Sequence, residues 1–236
     1  MALILNIETS TQVCSVAVSK NDEIIGISES SEEKSHASHL ALFIQEILSG
    51  NAIAPGELDA VAVSRGPGSY TGLRIGVSTA KGIAYSLDKP LIAVDTLQAM
   101  AYGAVQILKN QNQSPFENTW LCPMIDARRM EVYTSFYDFD MNQHREIKAE
   151  IIDEGSFKDI LADRNVFFFG NGAQKCKQVL HNPNVFFIDD FETSAKYMVP
   201  FSHKKFQENS YEDVAYFEPL YLKDFIATIP RKNIFK

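Results

Sequence analysis

The chain has 236 residues, of which 45% are hydrophobic and 22% charged, enough to bury a normal core as one large domain or two lobes. That balance excludes disordered, collagen-like and coiled-coil classes. A formal charge of −8 repels a phosphate backbone unless Lys and Arg gather on one face, so direct nucleic-acid binding is not expected.

The opening stretch from Met1 to Ser10 carries no Lys or Arg, meets an acid at Glu8 and lacks a long apolar run. It predicts neither a signal peptide nor a membrane span, hence a cytoplasmic protein. Three short strands, about 2–8, 13–20 and 23–30, follow one another around polar turns as an antiparallel meander. Leu40, Phe43, Ile44, Ile47 and Leu48 form one apolar stripe of a helix over about 38–48, which Gly50-Asn51 and Pro55-Gly56 end. A strand at 59–64, the glycine-rich turn Gly66–Gly72, a helix at about 73–87 and a strand at 90–94 make a βαβ unit, for which parallel pairing is the rule. A second round begins near Trp120 with strands at 119–126 and 130–138. Short buried strands are predicted at 166–169 and 185–188, with helices at about 172–180 and 195–206. The aromatic runs Phe167–Phe169 and Phe186-Phe187 read as core.

Cys14, Cys122 and Cys176 are odd in number and far apart, which predicts reduced, buried thiols and no zinc or redox motif. His36 and His39, at i and i+3 near a helix start, have a spacing that can bind a metal. Without a nearby third ligand they read as surface or interface histidines, and a metallopeptidase built on them is the least favoured function.

The turn Gly66-Pro67-Gly68-Ser69-Tyr70-Thr71-Gly72 leads from strand to helix, so its free N–H groups can face an anion, or it is a plain tight turn with Thr71 as N-cap. The longer string Ser64 to Gly76, with Ala80-Lys81-Gly82 after it, resembles the bacterial TsaB family of tRNA threonylcarbamoyladenosine biosynthesis, also labelled glycoprotease-like. The start Ile4-Leu5-Asn6-Ile7-Glu8-Thr9-Ser10, the central Asp126-Ala127-Arg128-Arg129-Met130-Glu131-Val132-Tyr133 and the late Pro219-Leu220-Tyr221-Leu222 agree in order and spacing. Glu8 stands where the family more often has Asp, and Met130 where it more often has Gly.

The resemblance implies an α/β protein of the actin-like ATPase (ASKHA, ribonuclease-H-like) fold, with an N-terminal lobe over 1–100 and a reduced C-terminal lobe over 101–236. It implies an accessory subunit with no catalytic residue and no cofactor or metal of its own. That subunit pairs with the catalytic paralogue TsaD, which carries ATP and the metal, works beside the ATPase subunit TsaE, and forms a homodimer when alone. The metal-binding His-x-x-x-His of the catalytic paralogue falls on Thr96 and Met100 here, neither of which replaces imidazole. Glu8, Thr9, Ser10, Gly66 and Gly68 are the candidate residual nucleotide site. Leu40, Phe43, Ile47, Ile75, Gly76, Thr79, Ala80 and Ile83, on the first two helices, are the expected partner contacts. The alternative is an independent ATP-dependent carbamoyl or phosphoryl transferase using Glu8, the glycine loop and Asp126.

Overall fold

The computed structural model describes residues 1–32, 35–111 and 118–223, and of Ser35 only the backbone. Glu33 and the tail Ile229–Lys236 lie outside the described residues. Strands β1 (Leu3–Glu8), β2 (Cys14–Lys20) and β3 (Glu23–Ser30) form the expected meander. Helix α1 (Ser35–Gly50) leads to β4 (Ala60–Ser64), and α2 (Tyr70–Leu87) to β5 (Leu91–Val94). Both later strands pair in parallel, in the order β3-β2-β1-β4-β5. The parallel strands β4 and β5 are buried at every position, as strands covered on both faces must be.

Helix α3 (Thr96–Asn110) crosses to a second sheet with the same plan. Here β6 (Thr119–Asp126), β7 (Glu131–Tyr137) and β8 (Gln143–Ile151) are the meander, and β9 (Asn165–Phe169) and β10 (Val185–Ile188) the parallel strands, in the order β10-β9-β6-β7-β8. The sequence reading omitted β8, whose alternating polar residues give a half-exposed strand without an apolar run. The helices of this half are α4 (Lys158–Leu161) and α5 (Ala173–Cys176), one turn each, where a helix over 172–180 was expected. A 3-10 turn (Ala195–Met198) and α6 (Val199–Gln207) complete the described elements, dividing what the sequence reads as one helix.

The outer face of the first sheet packs on α1 and α2 through Leu5, Ile7, Val16, Ile44, Val61 and Val77. Its inner face packs on the 3-10 turn and α6, and the inner face of the second sheet packs on α3. Each inner helix thus follows one sheet in sequence and covers the other in space. The two layers meet where the ring of Tyr197 lies against Gly103: a Cβ there would sit 2.7 Å from the ring. Asn6 in the buried centre of β1 accepts a hydrogen bond of 2.6 Å from Ser202 Oγ, which registers α6 on the first sheet. All three cysteines are free and buried, with burial pushing the thiols of Cys14 and Cys176 up to about 11 and that of Cys122 higher still.

Candidate functional site: the glycine loop and the turn beneath it

The loop from Ser64 to Ser69 leaves β4 through a cis Gly66-Pro67 peptide, with Gly66 at φ 103°, a conformation that favours glycine. Ser69, and not Thr71, is the N-cap of α2: its Oγ accepts from Gly72 N at 3.2 Å. The helix then runs directly over the β1–β2 turn. A Cβ at Gly68 would lie 2.4 Å from Ser10 O, one at Gly72 2.1 Å from Thr9 O, and one at Gly76 2.1 Å from Thr9 Oγ1. Glycines at 68 in the loop and at 72 and 76 in the helix therefore let the loop and α2 rest on this turn. Thr9 Oγ1 donates to Gly72 O at 2.9 Å, and Ser69 N donates to Ser10 O at 2.6 Å.

Glu8, Thr9, Ser10, Gly66 and Gly68 are thus brought together; Thr9 Oγ1 donates to Gly72 O and Gly66 N donates to Thr96 Oγ1, while Ser10 Oγ is buried without a hydrogen-bond partner among the described residues. Glu8, Thr9 and Ser10 are buried, and Glu8 Oε1 accepts from Ser10 N at 2.6 Å and from Ser64 Oγ at 3.0 Å. Burial raises the Glu8 carboxyl above its usual range, and the hydrogen bonds from Ser10 and Ser64 oppose that rise. Helix α2 and the glycine loop lie directly over this turn, with Glu8, Thr9 and Ser10 buried beneath them.

Thr96 and Met100, at the places of the catalytic paralogue's histidines, are both buried in the first turns of α3. Thr96 Oγ1 accepts from Gly66 N at 3.2 Å, so that position ties down the glycine loop, while Met100 joins the core of the second sheet. His36 and His39 occupy the start of α1, where His39 stacks on Phe43 at 5.5 Å, and no cluster of three metal-ligating side chains occurs among the described residues. Asp126 stands in the other half, exposed and paired with Lys175 at 2.5 Å.

The expected partner contacts divide by burial. Leu40, Ile47, Gly76 and Ala80 are buried within the first lobe. Phe43, Ile75, Thr79 and Ile83 remain partly exposed on the outer faces of α1 and α2. Beside Ile83 lies a groove of about 400 Å³ between the two helices and the Pro55–Glu57 turn, lined by Ile44, Leu48, Ile53, Leu58 and Leu87. A second hollow of about 430 Å³ runs along α2 past Tyr70, Arg74, Ile75 and Thr79.

The sequence reading gave no role to the segment after α6. It returns as a strap over the first lobe: Glu212 N donates to Leu91 O, and Leu220 N donates to Arg65 O at 2.7 Å. Lys81 on α2 holds it, donating to Ala215 O at 3.1 Å and Phe217 O at 3.0 Å. Tyr221 packs on Tyr70 at 5.1 Å, and Lys223 pairs with Glu131 across the molecule. The signal was present, since Lys81 and Pro219–Leu222 both lie in the stretches that carry the family resemblance.

Two sheets of identical strand order, each a meander with two parallel strands, and helices exchanged between them, define the actin-like ATPase class of α/β protein. A family model described as TsaD, tRNA N6-adenosine threonylcarbamoyltransferase, matches residues 13–231. The chain is 31% identical over 234 residues to the tRNA threonylcarbamoyladenosine biosynthesis protein TsaB of Haemophilus influenzae, covering 95% of this chain and 94% of that protein. It is 33% identical to TsaB of Escherichia coli over 95% of this chain and 96% of that one. A crystal structure from Pseudomonas aeruginosa, described as an uncharacterized protein with similarity to peptidase YEAZ, superimposes with a TM-score of 0.79 at 23% identity, over 94% of this chain and all of that one. The chain belongs to the TsaB family.

Proposed function

We propose that this chain is the non-catalytic accessory subunit of the complex that transfers a threonylcarbamoyl group to the adenosine beside the tRNA anticodon. In this reading it acts in the cytoplasm by pairing with the catalytic paralogue TsaD, works with the ATPase subunit TsaE, and pairs with a second copy of itself when alone. ATP and metal belong to the partner. No helix among the described residues is long and apolar enough to cross a membrane.

The observation that carries this reading is the combination of a self-filled turn with an unfilled outer face. The β1–β2 turn is covered by α2, and the position of the partner's first metal ligand is taken by a threonine that binds Gly66 N. The outer faces of α1 and α2, by contrast, leave Phe43, Ile75, Thr79 and Ile83 half-exposed beside an apolar groove. Such a groove accepts helices of a partner through side-chain packing, without groups that polarise a substrate.

The test is threonylcarbamoyl transfer to tRNA by TsaD and TsaE of the same organism, with and without this chain. Transfer is expected only when the chain is present, and Thr79→Trp or Ile75→Arg should abolish it while circular dichroism shows the chain still folded. Turnover by the chain alone would establish the independent transferase instead. Transfer that does not depend on the chain would overturn the assignment.

A further inference from the structure

The turn between β6 and β7 occupies in the second sheet the place that Thr9–Val13 occupies in the first. It is held from several sides: Asp126 N donates to Asn171 Oδ1 at 2.9 Å, Arg128 N donates to Asp126 Oδ1 at 2.7 Å, and Lys175 Nζ donates to Glu131 O at 2.7 Å. The acids at its base are neutralised, Asp126 by Lys175 and Glu131 by Lys223. At its tip Arg128 and Arg129 are exposed, both with positive φ (72° and 50°), and neither guanidinium makes a hydrogen bond or ion pair among the described residues. Among the described residues no helix covers this turn as α2 covers the first.

The cations continue from this turn along the strap, alternating with aromatic rings. Lys223 lies over Tyr133 at 5.8 Å; two residues back, Tyr221 is 39% exposed and packs on Tyr70, which Arg74 covers at 5.2 Å. Glu218 is the acid that faces this end of the strip, near Tyr221. We propose that this strip is an RNA contact, in which Arg128 and Arg129 hold phosphodiester oxygens and the Tyr221 ring offers a stacking face to a base. Guanidinium groups on a rigid turn suit phosphate, and cations interleaved with aromatic side chains suit a nucleic-acid strand more than an acidic protein surface. The strip also answers the overall charge: a chain of −8 can touch RNA where its acids are already paired.

The inference rests on the assignment to tRNA modification, and the two fail separately. Binding is read by fluorescence anisotropy of a labelled, unmodified tRNA transcript, with the full chain alone and paired with TsaD. The variant Arg128→Gly with Arg129→Gly keeps the turn, since glycine adopts both φ values freely, and Arg128→Lys with Arg129→Lys keeps the charge. The glycine variant should bind on the order of tenfold more weakly, with the salt slope of log K reduced by about 2, while the lysine variant retains most of the slope. Tyr221→Leu should weaken binding without changing the slope. Unchanged tRNA binding in the glycine variant, or no tRNA binding in either form, would overturn the proposal. So would loss of TsaD pairing in place of RNA affinity, which would reassign the arginines to a protein contact. Competition by ATP at concentrations that leave an unrelated RNA-binding protein untouched would reassign them to a free nucleotide. A chain that binds tRNA through these residues but is dispensable for transfer would sink the accessory-subunit reading and leave the strip standing.

Discussion

The two halves share one strand order but spend their connections differently. Between its parallel strands the first half builds helices of 16 and 18 residues, and the second builds helices of 4 residues each. In the first half α2 is long enough to lie across the β1–β2 turn, and glycines at 68, 72 and 76 let it touch. In the second half α5 stops after one turn, and the β6–β7 turn stays open with its arginines outward. Glycines make close backbone contacts in both halves, Gly172 against Ile125 and Asp126 in the second, so it is the length of the connecting helix that yields a sealed turn in one and a presented turn in the other.

The sharpest way to break this contrast is at the glycines. Gly72→Ala places a methyl 2.1 Å from a main-chain carbonyl that cannot turn away, and should cost about 3 kcal/mol or prevent folding, read as a shift of the denaturant midpoint. Gly76→Ala meets the Thr9 side chain, so adding Thr9→Ala should recover much of that loss but none of the loss from Gly72→Ala. A Cβ at either position tolerated without cost would show that α2 does not rest on the turn as described.

Lys81→Met should have the next largest effect. It removes two hydrogen bonds to the strap and should cost about 1–2 kcal/mol, with faster proteolytic cleavage in 211–223 while the sheets persist. Lys175 in the second half pairs with exposed Asp126 and also donates to Glu131 O; Lys175→Met should cost about 1 kcal/mol, the ion-pair part of it falling at high salt.

Glu8→Gln tests the sealed turn through pH. Because burial raises the carboxyl, the folded state retains the proton above the pH at which the unfolded chain releases it, so ionisation weakens folding progressively through and above the unfolded value. Glutamine still accepts from Ser10 N and Ser64 Oγ without a charge. The variant should therefore gain on the parent as pH rises from about 4 to about 8, measured as the difference in melting temperature. A difference that runs the other way would mean the carboxylate is held by groups stronger than its burial.

Most strands and the first two helices were legible because their apolar periods are clean: β4 and β5 are nearly continuous apolar runs, β1 is apolar apart from Asn6 and its terminal Glu8, and α1 carries its stripe at three- and four-residue spacing. β8 was not, since its exposed positions carry Glu146 and Lys148 and its half-buried ones include the paired Arg145 and Glu150, leaving little apolar alternation. The N-cap was placed two residues late because Ser69 and Thr71 are equally good caps locally, and only the contact of Ser69 N with Ser10 O chooses between them. The partner contacts expected on α1 and α2 divide between buried and half-exposed positions for a like reason: periodicity defines a face, not the direction in which that face points.

Local chemistry and spacing thus determined the meander, the crossover, the glycine-rich turn, the reduced thiols, and a family likeness with no imidazole at positions 96 and 100. Tertiary structure alone decided that the glycines serve the Thr9 backbone, that Lys81 and the late Pro219–Leu222 stretch form one clasp, and that Arg128 and Arg129 stand clear. These depend on contacts between residues tens to more than a hundred positions apart, and nothing in a local pattern records which distant backbone will come to rest against it.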